Sequence, residues 1–181
     1  MKNIYKLIGV FIMVLFLSNC KKNDETVAKE NTVASVYYFK ATIDGVLSEA
    51  QTMGLSSLGS DLRWIVAENG NGSFSRGGIG IKIQKEYLKV GSYTLNSSSA
   101  DKYVGEFYTK SNGEVDSIYS TSNTLTQGIL KIDKISDNSE TTLMKEISGR
   151  FAFYAVEKNS KKGITITYGE FKILAHSAFF K

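Results

Sequence analysis

The 181-residue chain contains no proline and has one cysteine, one histidine and one tryptophan. Each shortage closes a class of structure or chemistry. Without proline there is no slow prolyl isomerisation during folding, and the turns must be made by Gly, Asn, Asp and Ser. His176 is the single imidazole available to a Ser-His-Asp or Cys-His relay. It sits in the C-terminal "LAHSAFF", where an ordinary histidine at a strand end accounts for it. A lone cysteine allows no internal disulfide, and a zinc site of Cys and His lacks ligands. Charge of either sign is not in excess: 22 basic residues face 18 acidic ones. That balance, with no basic stripe interleaved with aromatics, excludes a nucleic-acid footprint. The N-terminal apolar run, Leu7 to Leu17, is too short to cross a membrane. As a helix it reaches roughly 16 Å, against a hydrocarbon core of about 30 Å.

What is present begins with that run. Lys2 and Lys6 precede it, no acidic residue interrupts it, and Leu17-Ser18-Asn19-Cys20 follows it. A positive segment and then a short apolar one form a secretory signal peptide. The four residues around the cysteine resemble the lipobox of bacterial lipoproteins. Leu17 and Ser18 match it, while Asn19 stands where a smaller residue is usual. The resemblance implies a diacylglycerol on the Cys20 sulfur, cleavage between Asn19 and Cys20, and acylation of the new amino group. One acyl chain binds a membrane reversibly, whereas two or more anchor it stably. Residues 1–19 thus read as signal peptide and 20–34 as lipidated cysteine and polar tether. Residues 35–181 read as one domain, a length that suits a single hydrophobic core.

Within the domain the hydrophobic period is two. "YFKATI" sets Phe39, Ala41 and Ile43 on one face, and Asp44-Gly45 follows as a hairpin turn. "GIGIKIQ" aligns Ile79, Ile81 and Ile83. "ISGRFAFYAV" puts Ile147, Phe151, Phe153 and Ala155 inward and Ser148, Arg150, Ala152 and Tyr154 outward. In "ITITYGEFKI" the apolar parity switches at Gly169, where a bulge would restore one face. Shorter strands are expected at Leu62–Ala67, Tyr87–Leu95, Tyr103–Lys110 and Leu125–Ile135. Turn clusters such as "NSSSAD", "SNGEVDS" and "EKNSKKG" separate them. No segment keeps a helical period. The pattern predicts an all-β antiparallel sandwich of about 8–10 strands, with a flattened barrel as the alternative.

The signal, the lipobox and the tether resemble those of small lipoproteins of Bacteroidota. So do "FKATIDG" opening the domain and "ISGRFAFYA" and "GITITYGEFKI" closing it. The resemblance implies anchorage to the outer membrane through Cys20 and an all-β domain of uncharacterised function. It carries over no catalytic residue. "KKNDE" after Cys20 is similar to the short charged signals that send some of these lipoproteins to the cell surface. Both the surface and the periplasmic face stay open.

Catalytic constellations are sparse. With Cys20 acylated no thiol nucleophile remains. "GNGSFSRGG" has the wrong spacing for a phosphate cradle and precedes a strand, so it reads as a hairpin loop. Asp133, Asp137 and Glu140 lack the spacing of a calcium loop. No metal or cofactor is expected. Paired carboxylates could hydrolyse glycosides; Glu106 or Glu170 could face a groove, but a solvated strand face or a turn accounts for either far better. The remaining signal is aromatic: ten Tyr and ten Phe. Tyr38, Tyr108 and Tyr154 fall on outward parities and are the expected ligand contacts, for a glycan or an envelope protein. Three readings follow: a non-enzymatic binding module, a carboxylate-dependent glycoside hydrolase, and a purely structural envelope component.

Overall fold

The computed structural model describes residues 37–69, 77–111 and 114–181. The signal peptide, Cys20, its cleavage site and the tether lie outside the described residues, as does most of "GNGSFSRGG". The described residues fold into eleven strands: β1 Tyr38–Ile43, β2 Val46–Glu49, β3 Thr52–Leu58, β4 Leu62–Asn69, β5 Gly77–Gln84, β6 Gly91–Leu95, β7 Tyr103–Ser111, β8 Glu114–Ser120, β9 Gly128–Asp137, β10 Met144–Glu157 and β11 Gly163–His176. No α-helix occurs among them, only short 3₁₀ turns. The fold is all-β, as the alternation requires.

All strands join one antiparallel sheet ordered β2-β1-β11-β10-β8-β7-β5-β4-β3, and β6 reaches it through β9, which pairs with β10. The long strand β10 gives the sheet its shape. Lys145 to Ala152 pair with β9, whereas Val156 and Glu157 pair with β8. Two arms therefore diverge from one edge of β10 and fold over a shared core, a sandwich-like arrangement. The end strands β2 and β3 do not pair, so the flattened-barrel alternative is not formed.

The core collects the inward positions of both arms. Phe39, Phe151 and Phe171 meet at its centre, with ring centroids 5.1 Å (Phe39–Phe151) and 6.1 Å (Phe39–Phe171) apart. Ile65, Ile79, Ile81, Ile83, Leu130, Ile132, Ile147, Phe153, Ile166 and Ile173 are buried around them. The inward parities expected for β1, β5 and β10 hold throughout. Asp44 and Gly45 both take positive φ (45° and 87°), the turn that matches strand twist in a two-residue hairpin. Asp44 also accepts a bond from the Thr165 N–H at 2.8 Å, tying the turn to β11.

The bulge in β11 is real but finer than expected. Phe151 faces Gly169 while Phe153 faces Ile166, so the register shifts there. The left-handed residue is Tyr168 (φ 50°), not Gly169. Gly169 is needed because a Cβ would meet the Phe151 ring at 2.5 Å. Ile164 and Ile166 before the shift and Phe171 and Ile173 after it all reach the core, the effect a bulge was expected to have. Two local readings are corrected. "SNGEVDS" is not wholly turn, since β8 starts at Glu114, and the strand expected from Tyr87 starts only at Gly91 after a 3₁₀ turn.

Candidate binding groove

Pairing register sets two rows of different chemistry side by side on the outer face of the arm that contains β2, β1, β11, β10, β9 and β6. The first row is charged: Lys40 faces Glu170, Glu170 faces Arg150, and Arg150 faces Lys131. Its cations are held in ion pairs. Lys40 Nζ lies 3.1 Å from Glu170, and Lys131 Nζ and Arg150 Nε each lie 3.1 Å from Asp133. Hydrogen bonds from Arg150 and Lys131 hold the Asp133 carboxyl below the usual carboxylate range.

The second row carries no charge. Thr42 faces Leu47 on one side and Thr167 on the other. Ala152 follows across the bulge, facing Ile129, which faces Thr94. Leu47 is 61% exposed and Ile129 48%. A groove of about 450 Å³ opens over the β6–β11 part of this row and the next one, lined by Thr94, Gln127, Ile129, Thr165, Thr167 and Tyr154 among others, with no ionisable group but the tyrosine phenol.

One tyrosine borders it and a second stands on the adjoining bulge of β11. Tyr154 is half-buried, and its ring lies down across β11, so close that a Cβ on Gly163 would overlap the hydroxyl. A half-exposed aromatic ring can stack on another ring or on the C–H face of a sugar. Tyr168 stands next to Thr167 at the bulge and is 82% exposed. A bulky residue with positive φ is strained, and such strain concentrates at functional positions. Sequence parity misses Tyr168 because it is the residue at which parity breaks.

The other two expected contacts lie elsewhere. Tyr38 is outward and 39% exposed, but its register row passes through Lys172 and Ser148, six residues from Tyr154 along β10. That is roughly 20 Å. Tyr108 is on the outer parity of β7, yet only 4% exposed. Its hydroxyl donates to Glu68 and its ring packs 6.1 Å from Trp64. Burial, reinforced by Glu68, pushes its phenol far up, while the Tyr108 hydroxyl and Lys110 hold Glu68 low. The three tyrosines therefore occupy three patches, and only Tyr154 borders a groove.

A family model described as a domain of unknown function (DUF6252) matches residues 36–174. The chain belongs to that family. No curated protein and no solved structure matches it. The DUF6252 match contains the whole groove with Tyr154, and Tyr168 beside it, and stops before the C-terminal 3₁₀ turn.

That last turn explains the single histidine. His176 Nδ1 accepts the Ala178 N–H at 3.2 Å, capping Ser177–Phe180. Four of the carboxylates singled out from sequence, Asp133 among them, are engaged as well. Glu106 pairs with Lys82 at 2.8 Å, Glu170 with Lys40, and Asp137 with Lys145 at 2.6 Å. Among the described residues no group of three or more His, Cys, Asp or Glu is placed to hold a metal. A wider depression of about 1030 Å³ lies where β4 begins and β5 ends, with Asp61, Glu86 and Asp101 beside Lys85 and Lys89. Asp61 there accepts the Ser60 hydroxyl at 2.7 Å.

Proposed function

We propose that this chain is a lipid-anchored envelope protein whose β domain binds glycan without transforming it. The anchoring half rests on the charged segment, the apolar run and Cys20 at their signal-peptide offsets. Intact mass of protein extracted from membranes tests it. A diacylated or triacylated Cys20 N-terminus is expected, and Cys20→Ala should leave the precursor unprocessed. An unmodified Met1 terminus on the wild type would sink it. The anchor tethers the domain to the outer membrane, on the periplasmic or the external face.

The binding half rests on one observation: an uncharged groove bordered by the half-buried Tyr154, with the strained, exposed Tyr168 on the adjoining bulge of β11. Sugars offer C–H faces that stack on aromatic rings and hydroxyls that bond threonine and glutamine. A ring contact adds about 0.5–1.5 kcal/mol, so a shallow platform binds in roughly the micromolar to millimolar range. A glycan array probed with the chain, wild type and Tyr154→Ala, is the test. Binding that weakens in the variant supports the reading. A blank array, or turnover of a polysaccharide that a single Asp or Glu substitution abolishes, refutes it, the latter in favour of the hydrolase.

A further inference from the structure

We propose that the glycan held in this groove is a neutral chain, several sugars long, laid across the strands along the uncharged row. The inference rests on the glycan reading above and adds charge, length and direction to it. Direction and length come from register. Leu47, Thr42, Thr167, Ala152, Ile129 and Thr94 follow one another across six neighbouring strands. Five strand spacings make this row roughly 24 Å long. Its side chains are short or branched and none is ionisable, so an extended ligand meets a continuous low track. Along the strands the track is bounded on one side by Lys40, Glu170, Arg150 and Lys131, whose long side chains are held down in ion pairs. On the other side stands Tyr154.

Charge complementarity sets the ligand's character. The cations of the neighbouring row are already held in ion pairs by Glu170 and Asp133, so an acidic sugar has to compete with carboxylates in place there. A carboxylate pressed against Ile129 and Ala152 would lose hydration without compensation. A neutral sugar loses nothing comparable, because the Thr94, Thr165 and Thr167 hydroxyls and the Gln127 amide both donate and accept. The half-exposed Tyr154 ring stacks one sugar beside the track, and Tyr168 offers a second ring at its middle.

Calorimetric titration of the full chain with defined oligosaccharides tests this. The probes are β-1,4-gluco-, β-1,4-manno-, β-1,4-xylo- and α-1,4-gluco-oligosaccharides of one to six units, with oligogalacturonates as the acidic arm. Affinity for at least one neutral series should rise with length up to four or more units, and the acidic arm should bind more weakly. Tyr154→Ala should weaken every length by roughly two- to twelvefold, the loss of one ring contact. Leu47→Asp, at the far end of the track from the groove, should weaken the hexamer while leaving the shortest binding oligomer unchanged, whereas Ile129→Asp, inside the groove, should weaken every length. Tighter binding of the acidic arm overturns the neutral assignment, and affinity independent of length overturns the extended one. Binding of none of these probes overturns the inference as a whole. The glycan reading itself falls only if the broader array is blank too.

Discussion

Phe153 lies where the two arms meet at β10, and its packing makes a quantitative prediction. The ring is buried and stacks against Phe151 at 6.1 Å. On two sides its neighbours are glycines. A Cβ on Gly105 would meet two Phe153 ring carbons at 3.0 Å, and one on Gly128 would meet the Phe153 Cβ at 2.5 Å. Truncating a buried phenylalanine costs about 3–5 kcal/mol, depending on how far the surroundings collapse. Glycines have no side chain to swing into the hole, so Phe153→Ala should fall in the upper half of that range. Gly105→Ala alone pushes a methyl against the ring and should cost about 1–3 kcal/mol by overpacking. In the double variant the methyl enters the space the ring has left. The pair should therefore be less destabilising than the sum, by about 0.5–3 kcal/mol.

Urea unfolding of the domain, followed by the fluorescence of the sole tryptophan, Trp64, reads all three. With a slope of about 2 kcal/mol per molar, a 4 kcal/mol loss moves the midpoint by about 2 M. Phe153→Leu gives a second cycle where the alanine variant is too unstable to measure. A Phe153→Ala loss below about 1 kcal/mol, the range of surface changes, would refute the core assignment. Additivity of the two substitutions within about 0.5 kcal/mol would refute the contact.

Other expectations concern single groups. Glu157 in the β10–β11 turn accepts the Asn159 and Ser160 N–H groups, which hold its carboxyl down to about 2. Its folded value lies below the unfolded one of about 4.3, so its stabilisation is present above pH ~4.3 and fades as pH falls towards 2. A carbon-detected NMR titration should find that depressed value, and an ordinary value near 4.3 would contradict the turn geometry. Tyr168→Gly removes a left-handed bulky residue and should leave stability unchanged or raised by up to about 1 kcal/mol in thermal melts while weakening glycan binding. A clear loss of stability would show that Tyr168 packs rather than projects. Gly163→Ala should lift the Tyr154 ring off β11 and alter binding while Tyr154 itself is retained; unchanged binding would separate that ring from the site.

The parts of the fold that sequence makes legible are those where one face is dry and the other wet. β10 alternates from Ile147 to Ala155, β11 alternates on either side of its bulge, and their inward residues are buried as the pattern requires. β8 does not alternate, because its residues from Glu114 to Ser117 are exposed or half-exposed on both faces. Its apolar signal is diluted and it reads as turn. β2 is four residues at an edge, with one buried position, Ser48, and that residue is polar. Parity alone predicts that Tyr108 points outward, which it does. It cannot predict that Trp64 and Glu68 on β4 cover it, since that depends on how β4, β5 and β7 register. The groove is illegible for the same reason. Thr94, Ile129, Ala152 and Thr167 come from four strands spread over much of the chain, and only non-local pairing makes them neighbours.

One packing device recurs on the outer face, and it separates stability from binding. Trp64 lies over Gly80, Tyr108 over Gly78 and Tyr154 over Gly163, each so close that a Cβ would overlap or crowd the ring. An aromatic laid across a strand glycine covers backbone that the glycine leaves bare, which strengthens a sheet. In the β3–β8 arm the device is closed: Trp64 and Tyr108 pack together and Glu68 takes the phenol. In the other arm Tyr154 stays half-exposed beside an uncharged groove. The same local chemistry thus serves the sheet in one arm and leaves a ring face available in the other. An outward tyrosine opposite a glycine is evidence of sheet packing first. It becomes evidence of a site where the neighbouring strands leave its face open, and among the three tyrosines expected from sequence, Tyr154 is the one that also borders a groove.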